Sequence, residues 1–129
     1  MEQTVRTLRL LLVDDESDIR TLYTFKLQDA GFAVTGAGSA HEAARAALDH
    51  PYDIAVIDER MARVRGLALA RWLRRRFPDL VILLASAYAD WEMFFRASAC
   101  GVTDVVSKSS PVGELVRLAR QCVQRGGAA

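Results

Sequence analysis

Runs of Leu, Val and Ile recur along the chain, and each is followed by a longer stretch whose apolar residues return every three or four positions. Short apolar runs read as strands buried on both faces, and the longer period reads as amphipathic helix. The pattern predicts five strand-helix units. Strands are expected at Leu8 to Val13, Phe32 to Thr35, Ile54 to Ile57, Leu80 to Ala85 and Thr103 to Val106. Helices are expected at Ser17 to Ala30, Ser39 to Asp49, Leu67 to Phe77, Asp90 to Cys100 and Pro111 to Gln124. Gly31 supplies a stop for the first helix, and Ser110-Pro111 a start for the last, whose apolar face is Leu115, Ala119 and Cys122 and whose end is set at Gly126-Gly127.

Because the middle strands are apolar throughout, helices must cover both faces of the sheet. Right-handed crossovers then lead to an α/β architecture, a single open, doubly wound parallel sheet whose site lies beyond the carboxyl ends of the strands. There is no linker, repeat or low-complexity tract, so residues 1–129 are expected to form one domain.

Composition narrows the function classes. Hydrophobic residues make up 51% and charged residues 26%, which excludes a disordered chain. A net charge of +1 gives no global attraction to nucleic acid or to an anionic membrane. The apolar runs, such as Leu80 to Ala85, fall far short of the ~20 residues a membrane helix needs. Met1 to Arg9 lacks the organisation of a signal peptide, so a cytoplasmic location is expected. Cys100 and Cys122 have no metal-ligand spacing and are expected as reduced core thiols on apolar helix positions. Arg60 to Arg76 holds seven arginines and no acid, and the single aromatic residue among them, Trp72, does not make a base-stacking surface. A solvated helix face is expected there, with no direct binding of nucleic acid.

The candidate chemistry stands just after the strands. Asp14 and Asp15 follow the first, Asp58 the third, Ser86 the fourth, and Ser107-Lys108 the fifth. Three carboxylates on one edge repel one another unless a cation neutralises them, and a hard ion such as Mg²⁺ suits oxygen ligands. A hydroxyl and an ammonium beside them make a pocket for a tetrahedral anion, which points to a phosphoryl group.

The stretches LLLVDDE (Leu10 to Glu16), DIAVIDERM with Gly66 beyond it, VILLASA (Val81 to Ala87) and GVTDVVSK (Gly101 to Lys108) resemble the receiver domain of two-component response regulators over essentially the whole chain. That resemblance implies a flavodoxin-like, chemotaxis-regulator-like sheet of five strands in order 2-1-3-4-5 with five helices. It implies that Asp58 is the phosphoacceptor, taking a phosphoryl group from a sensor histidine kinase or phosphotransfer protein and switching protein contacts. Asp15, Asp58 and the backbone carbonyl of Arg60 would hold Mg²⁺, with Asp14 acting through a water. Ser86 and Lys108 would bind the phosphoryl oxygens. Such a domain is no enzyme beyond its own phosphorylation and dephosphorylation. The alternative is a pseudo-receiver that keeps the fold as an interaction module without phosphorylation.

Several positions depart from the family pattern. Val105 stands where a Tyr or Phe is common, so the usual rotating ring is missing. Ser109 replaces the proline after the lysine, and a trans peptide is expected. Ala62 stands where a proline is common and Arg65 where an acid or amide is, so a looser and more basic loop before Gly66 is expected.

Two enzyme readings fit less well. Gly36-Ala37-Gly38-Ser39-Ala40-His41 imitates a dinucleotide-binding turn, but His41 stands at its third position. An aspartate-nucleophile phosphohydrolase would want a second acid at position 60, which is Arg60. Lastly, Phe94 and Ala97 are expected to face the sheet, leaving Trp91, Phe95 and Leu118 as a partly exposed apolar patch for a homodimer or protein target.

Overall fold

The computed structural model describes residues 6–127. Five strands, β1 (Arg9–Val13), β2 (Ala33–Ala37), β3 (Ile54–Asp58), β4 (Val81–Ser86) and β5 (Asp104–Ser107), alternate with α1 (Ser17–Asp29), α2 (Ala40–Asp49), α3 (Gly66–Arg76), α4 (Trp91–Ala99) and α5 (Val112–Gly127). The sheet is wholly parallel, in the order β2-β1-β3-β4-β5. This is the doubly wound, flavodoxin-like arrangement expected from the sequence, and among the described residues no helix is long and apolar enough to cross a membrane.

Strand alternation divides the core in two. Leu10, Leu12, Ile54, Val56, Val81 and Leu83 face α1 and α5 and pack with Leu27, Leu115 and Ala119. Leu11, Val13, Ala55, Ile57, Ile82 and Leu84 face α2, α3 and α4 and pack with Ala43, Leu69, Leu73, Met93 and Ala97. This parity decides where each strand-end side chain goes.

The helix ends follow local chemistry. Gly31 takes φ 103°, and the N–H groups of Gly31 and Phe32 close on the carbonyls of Gln28 and Leu27. The Asp90 side chain accepts from the Met93 N–H at 2.9 Å and caps α4. Gly66 opens α3 against the end of β3, where its N–H donates to the Glu59 carbonyl at 3.0 Å and a Cβ would overlap the Asp58 carbonyl oxygen.

Four expectations are corrected. β2 begins after Phe32, which folds into the α1/α5 core, and continues to Ala37 because its pairing with β1 runs to Val13. β5 is shifted one residue onward, since the Thr103 hydroxyl accepts from the Ile82 N–H and leaves the ladder to start at Asp104. α5 runs on past Gln124 and ends with the glycine pair itself, at Gly127. On α4 the buried pair is Met93 and Ala97, an i, i+4 stripe, and Phe94 lies outward at 42% exposure.

Candidate functional site

The carboxyl edge of the sheet gathers the acids as expected. Asp14 leaves β1 buried, Asp15 follows it exposed, and Asp58 ends β3 at only 4% exposure. One carboxylate oxygen from each lies within 4.8 Å of the others. Lys108, just past β5, sets its ammonium 2.5 Å from Asp58 Oδ1. The Asp58 and Asp14 carboxylates also accept backbone N–H groups, from Arg60 at 3.2 Å and from Glu16 at 2.9 Å.

One ammonium does not balance three carboxylates. Burial pushes the Asp14 carboxyl above the usual carboxylate range, and the charge of Asp58 pushes it further, against the opposing Glu16 N–H and Lys108. Burial alone would pull the Lys108 ammonium down, but its hydrogen bond to Asp58 and the charges of Asp58, Asp14 and Glu16 raise it. An under-compensated group of oxygen donors fits a hard divalent cation such as Mg²⁺.

Beside the acids a cavity of about 190 Å³ opens between α1 and α5, with Asp14, Asp58 and Lys108 at its rim and Ile19, Tyr23 and Leu115 within. Ser86 is not among its lining residues. It ends β4 on the parity of Ile82 and Leu84, fully buried, whereas Asp58 shares the parity of Ile54 and Val56. The Ser86 hydroxyl donates to Glu59 Oε1 at 3.4 Å and accepts from the Tyr88 N–H at 3.0 Å. The sequence reading missed Glu59. Its signal was available: an acid directly after Asp58 continues the inward register of Ala55 and Ile57, where an apolar residue belongs.

The loop before Gly66 is tied down, contrary to expectation. The Ala62 N–H donates to Asp15 Oδ2 at 2.8 Å, a bond that a proline at this position could not make. The glycines at the end of β2 and just beyond it are covered by the protein itself. Arg20 packs on Gly36 and Gly38, where a Cβ would meet its side chain at 3.3 and 3.1 Å, and its guanidinium donates to the Asp14 carbonyl at 2.7 Å. That removes the cradle a dinucleotide would need.

Other departures resolve simply. No peptide bond among the described residues is cis, so Lys108-Ser109 is trans. Val105 is half-buried against the α2–α4 core. Arg74, within the arginine run, is half-buried and donates to the carbonyls of Gly101, Phe77 and Pro78. Cys100 and Cys122 are both free thiols, but only Cys122 lies in the core; Cys100, at the end of α4, is half-exposed. Trp91 and Phe95 stand 77% and 68% exposed and touch each other, with Phe94 against Trp91. Leu118 does not join them, being half-buried against the α1/α5 core.

Known proteins are similar to this chain in sequence and fold. The C4-dicarboxylate transport transcriptional regulatory protein DctD of Rhizobium meliloti is 32% identical over 116 residues, covering 90% of this chain and 25% of DctD. The chain thus spans about a quarter of the length of that relative. The response regulator TrrA of Thermotoga maritima, solved in complex with Mg²⁺-BeF, superposes with a TM-score of 0.81 at 29% identity, over 90% of this chain and 99% of TrrA. A CheY-like receiver domain from Methanospirillum hungatei JF-1 shares the fold at a TM-score of 0.89 and 19% identity, over 95% of this chain and 98% of that one. With residues 10–120 matching the family itself, the chain belongs to the response regulator receiver domains of two-component systems.

Proposed function

We propose that this domain accepts a phosphoryl group on Asp58 from a phosphohistidine of a sensor histidine kinase or phosphotransfer protein. The supporting observation is the convergence of Asp14, Asp15 and Asp58 within 4.8 Å with Lys108 on Asp58 Oδ1. In the transfer an Asp58 carboxylate oxygen forms the new bond to phosphorus while the bond to the donor imidazole nitrogen breaks, leaving an acyl phosphate and a free histidine.

A carboxylate is a weak nucleophile, so catalysis here is mostly positioning and charge neutralisation. Lys108, already paired with Asp58 Oδ1, stands ready to take a phosphoryl oxygen. Asp15, Asp58 and the Arg60 carbonyl would hold Mg²⁺, with Asp14 acting through a water. The ion supplies charge neutralisation for the incoming anion. Ser86 is the second donor to the phosphoryl oxygens once its hydroxyl turns from Glu59.

Residues 1–129 act as one such domain, and the exposed aromatics Trp91 and Phe95 of α4, joined by Phe94 in place of Leu118, form its contact surface for a second copy or a protein target. Incubation with acetyl phosphate, followed by intact mass, tests the central reading. One added phosphoryl group is expected in Mg²⁺ and none in EDTA. Absence of labelling under both conditions would leave the pseudo-receiver reading in its place. Light scattering with and without beryllofluoride tests the aromatic surface, and association lost in Trp91→Ala is the expected result.

A further inference from the structure

Three acids are buried among the described residues, Asp14, Asp58 and Glu59, and Glu59 alone stands outside the acidic cluster. It follows Asp58 directly, so strand alternation sends it to the opposite side of the sheet, toward the α2–α4 core. Its backbone is pinned on both sides: the N–H donates to the Ala85 carbonyl at 2.9 Å, and the carbonyl accepts from Gly66 at 3.0 Å. The direction of the Glu59 Cα–Cβ bond is therefore fixed by the ends of β4 and α3, and the side chain starts inward.

Ser86 is fully buried, and a hydroxyl has one proton to give. That proton now goes to Glu59. A phosphoryl group on Asp58 would claim it from the other side of the strand end. We propose that Glu59 is a positioning residue that holds the Ser86 hydroxyl away from the phosphoryl site, so that phosphoryl affinity is set by competition between the two acceptors. The inference rests on Asp58 as phosphoacceptor. When Ser86 turns, Glu59 is left buried without its donor, and the Tyr88 N–H loses its acceptor. Tyr88 lies in the turn that leads into α4, so the rearrangement reaches the helix bearing the exposed aromatics.

The test measures beryllofluoride affinity of the full chain in saturating Mg²⁺, with Mg²⁺ affinity measured separately. Glu59→Met removes the acceptor and should tighten beryllofluoride binding about 3- to 10-fold. Glu59→Gln removes the charge but keeps an acceptor, and should stay within about twofold of wild type. In a Ser86→Ala background the Met substitution should change nothing. An equal gain in the Gln variant, or a gain that persists without the Ser86 hydroxyl, would overturn the proposal in favour of a charge effect. A third observation needs no substitution: the Tyr88 amide of the wild type should exchange faster when beryllofluoride binds, and unchanged exchange counts against the idea. If the wild type binds no beryllofluoride at all, the phosphoacceptor reading itself falls, an outcome distinct from binding that is indifferent to Glu59.

Discussion

Asp58 and Glu59 are consecutive acids, both almost fully buried, and they live in opposite surroundings. Asp58 looks toward α1 and α5, where Lys108, Asp14 and a cavity open to ions surround it. Glu59 looks toward α2–α4, where its described polar partner is a serine hydroxyl. One residue of pleat separates a carboxylate able to meet charged reagents from one sealed against them. Burial alone does not separate the two roles proposed for these acids, acceptor and positioning residue; the face of the sheet does.

The largest effect expected is on labelling. Asp58→Asn should abolish incorporation from acetyl phosphate, and peptide mapping should find no phosphate on Glu59 in the variant. Transfer to Glu59 would show that the two faces are not chemically separate.

Metal affinity sharpens the same contrast. Asp15→Asn removes a charged ligand and should weaken Mg²⁺ binding by about tenfold or more, whereas Ser86→Ala, on the other face, should leave it within about twofold. Isothermal titration calorimetry reads both. Equal losses would place Ser86 among the metal's neighbours.

Stability should respond to Asp14 in the unusual direction for a carboxylate. Its folded pKa is raised, so its contribution is favourable only below the unfolded value and is lost as pH rises through the folded one. At neutral pH in EDTA, Asp14→Asn should raise Tm by roughly 2–5 °C, and the gain should shrink as pH falls toward 4. Thermal unfolding by circular dichroism checks the sign. The smallest effect belongs to the outer surface of α4, where Trp91→Ala or Phe95→Ala should change monomer stability by no more than about 0.5 kcal/mol in denaturant titrations.

The sheet was legible because β1, β3 and β4 are apolar in both registers, which only a strand covered on two sides requires. The acid cluster was legible because strand ends are fixed once strands are. Side-chain direction at those ends was not read, although parity carried it: Ser86 follows Leu84, and Glu59 follows Ile57, both toward α2–α4. On α4 the sequence WEMFF offers apolar candidates on adjacent stripes, and helical period alone does not choose Met93 over Phe94. The anchoring of the loop before Gly66 depended on an amide meeting a carboxylate 47 residues away, which no local pattern encodes.

That last contact changes what kind of stiffness the loop has. A pyrrolidine ring would constrain the backbone in every ionic condition. An N–H donor constrains it only while Asp15 keeps an oxygen for Ala62, so the loop's order is conditional on what else the carboxylate holds. The Ala62 amide is therefore a built-in reporter: its rate of exchange with solvent counts how often Asp15 lets go.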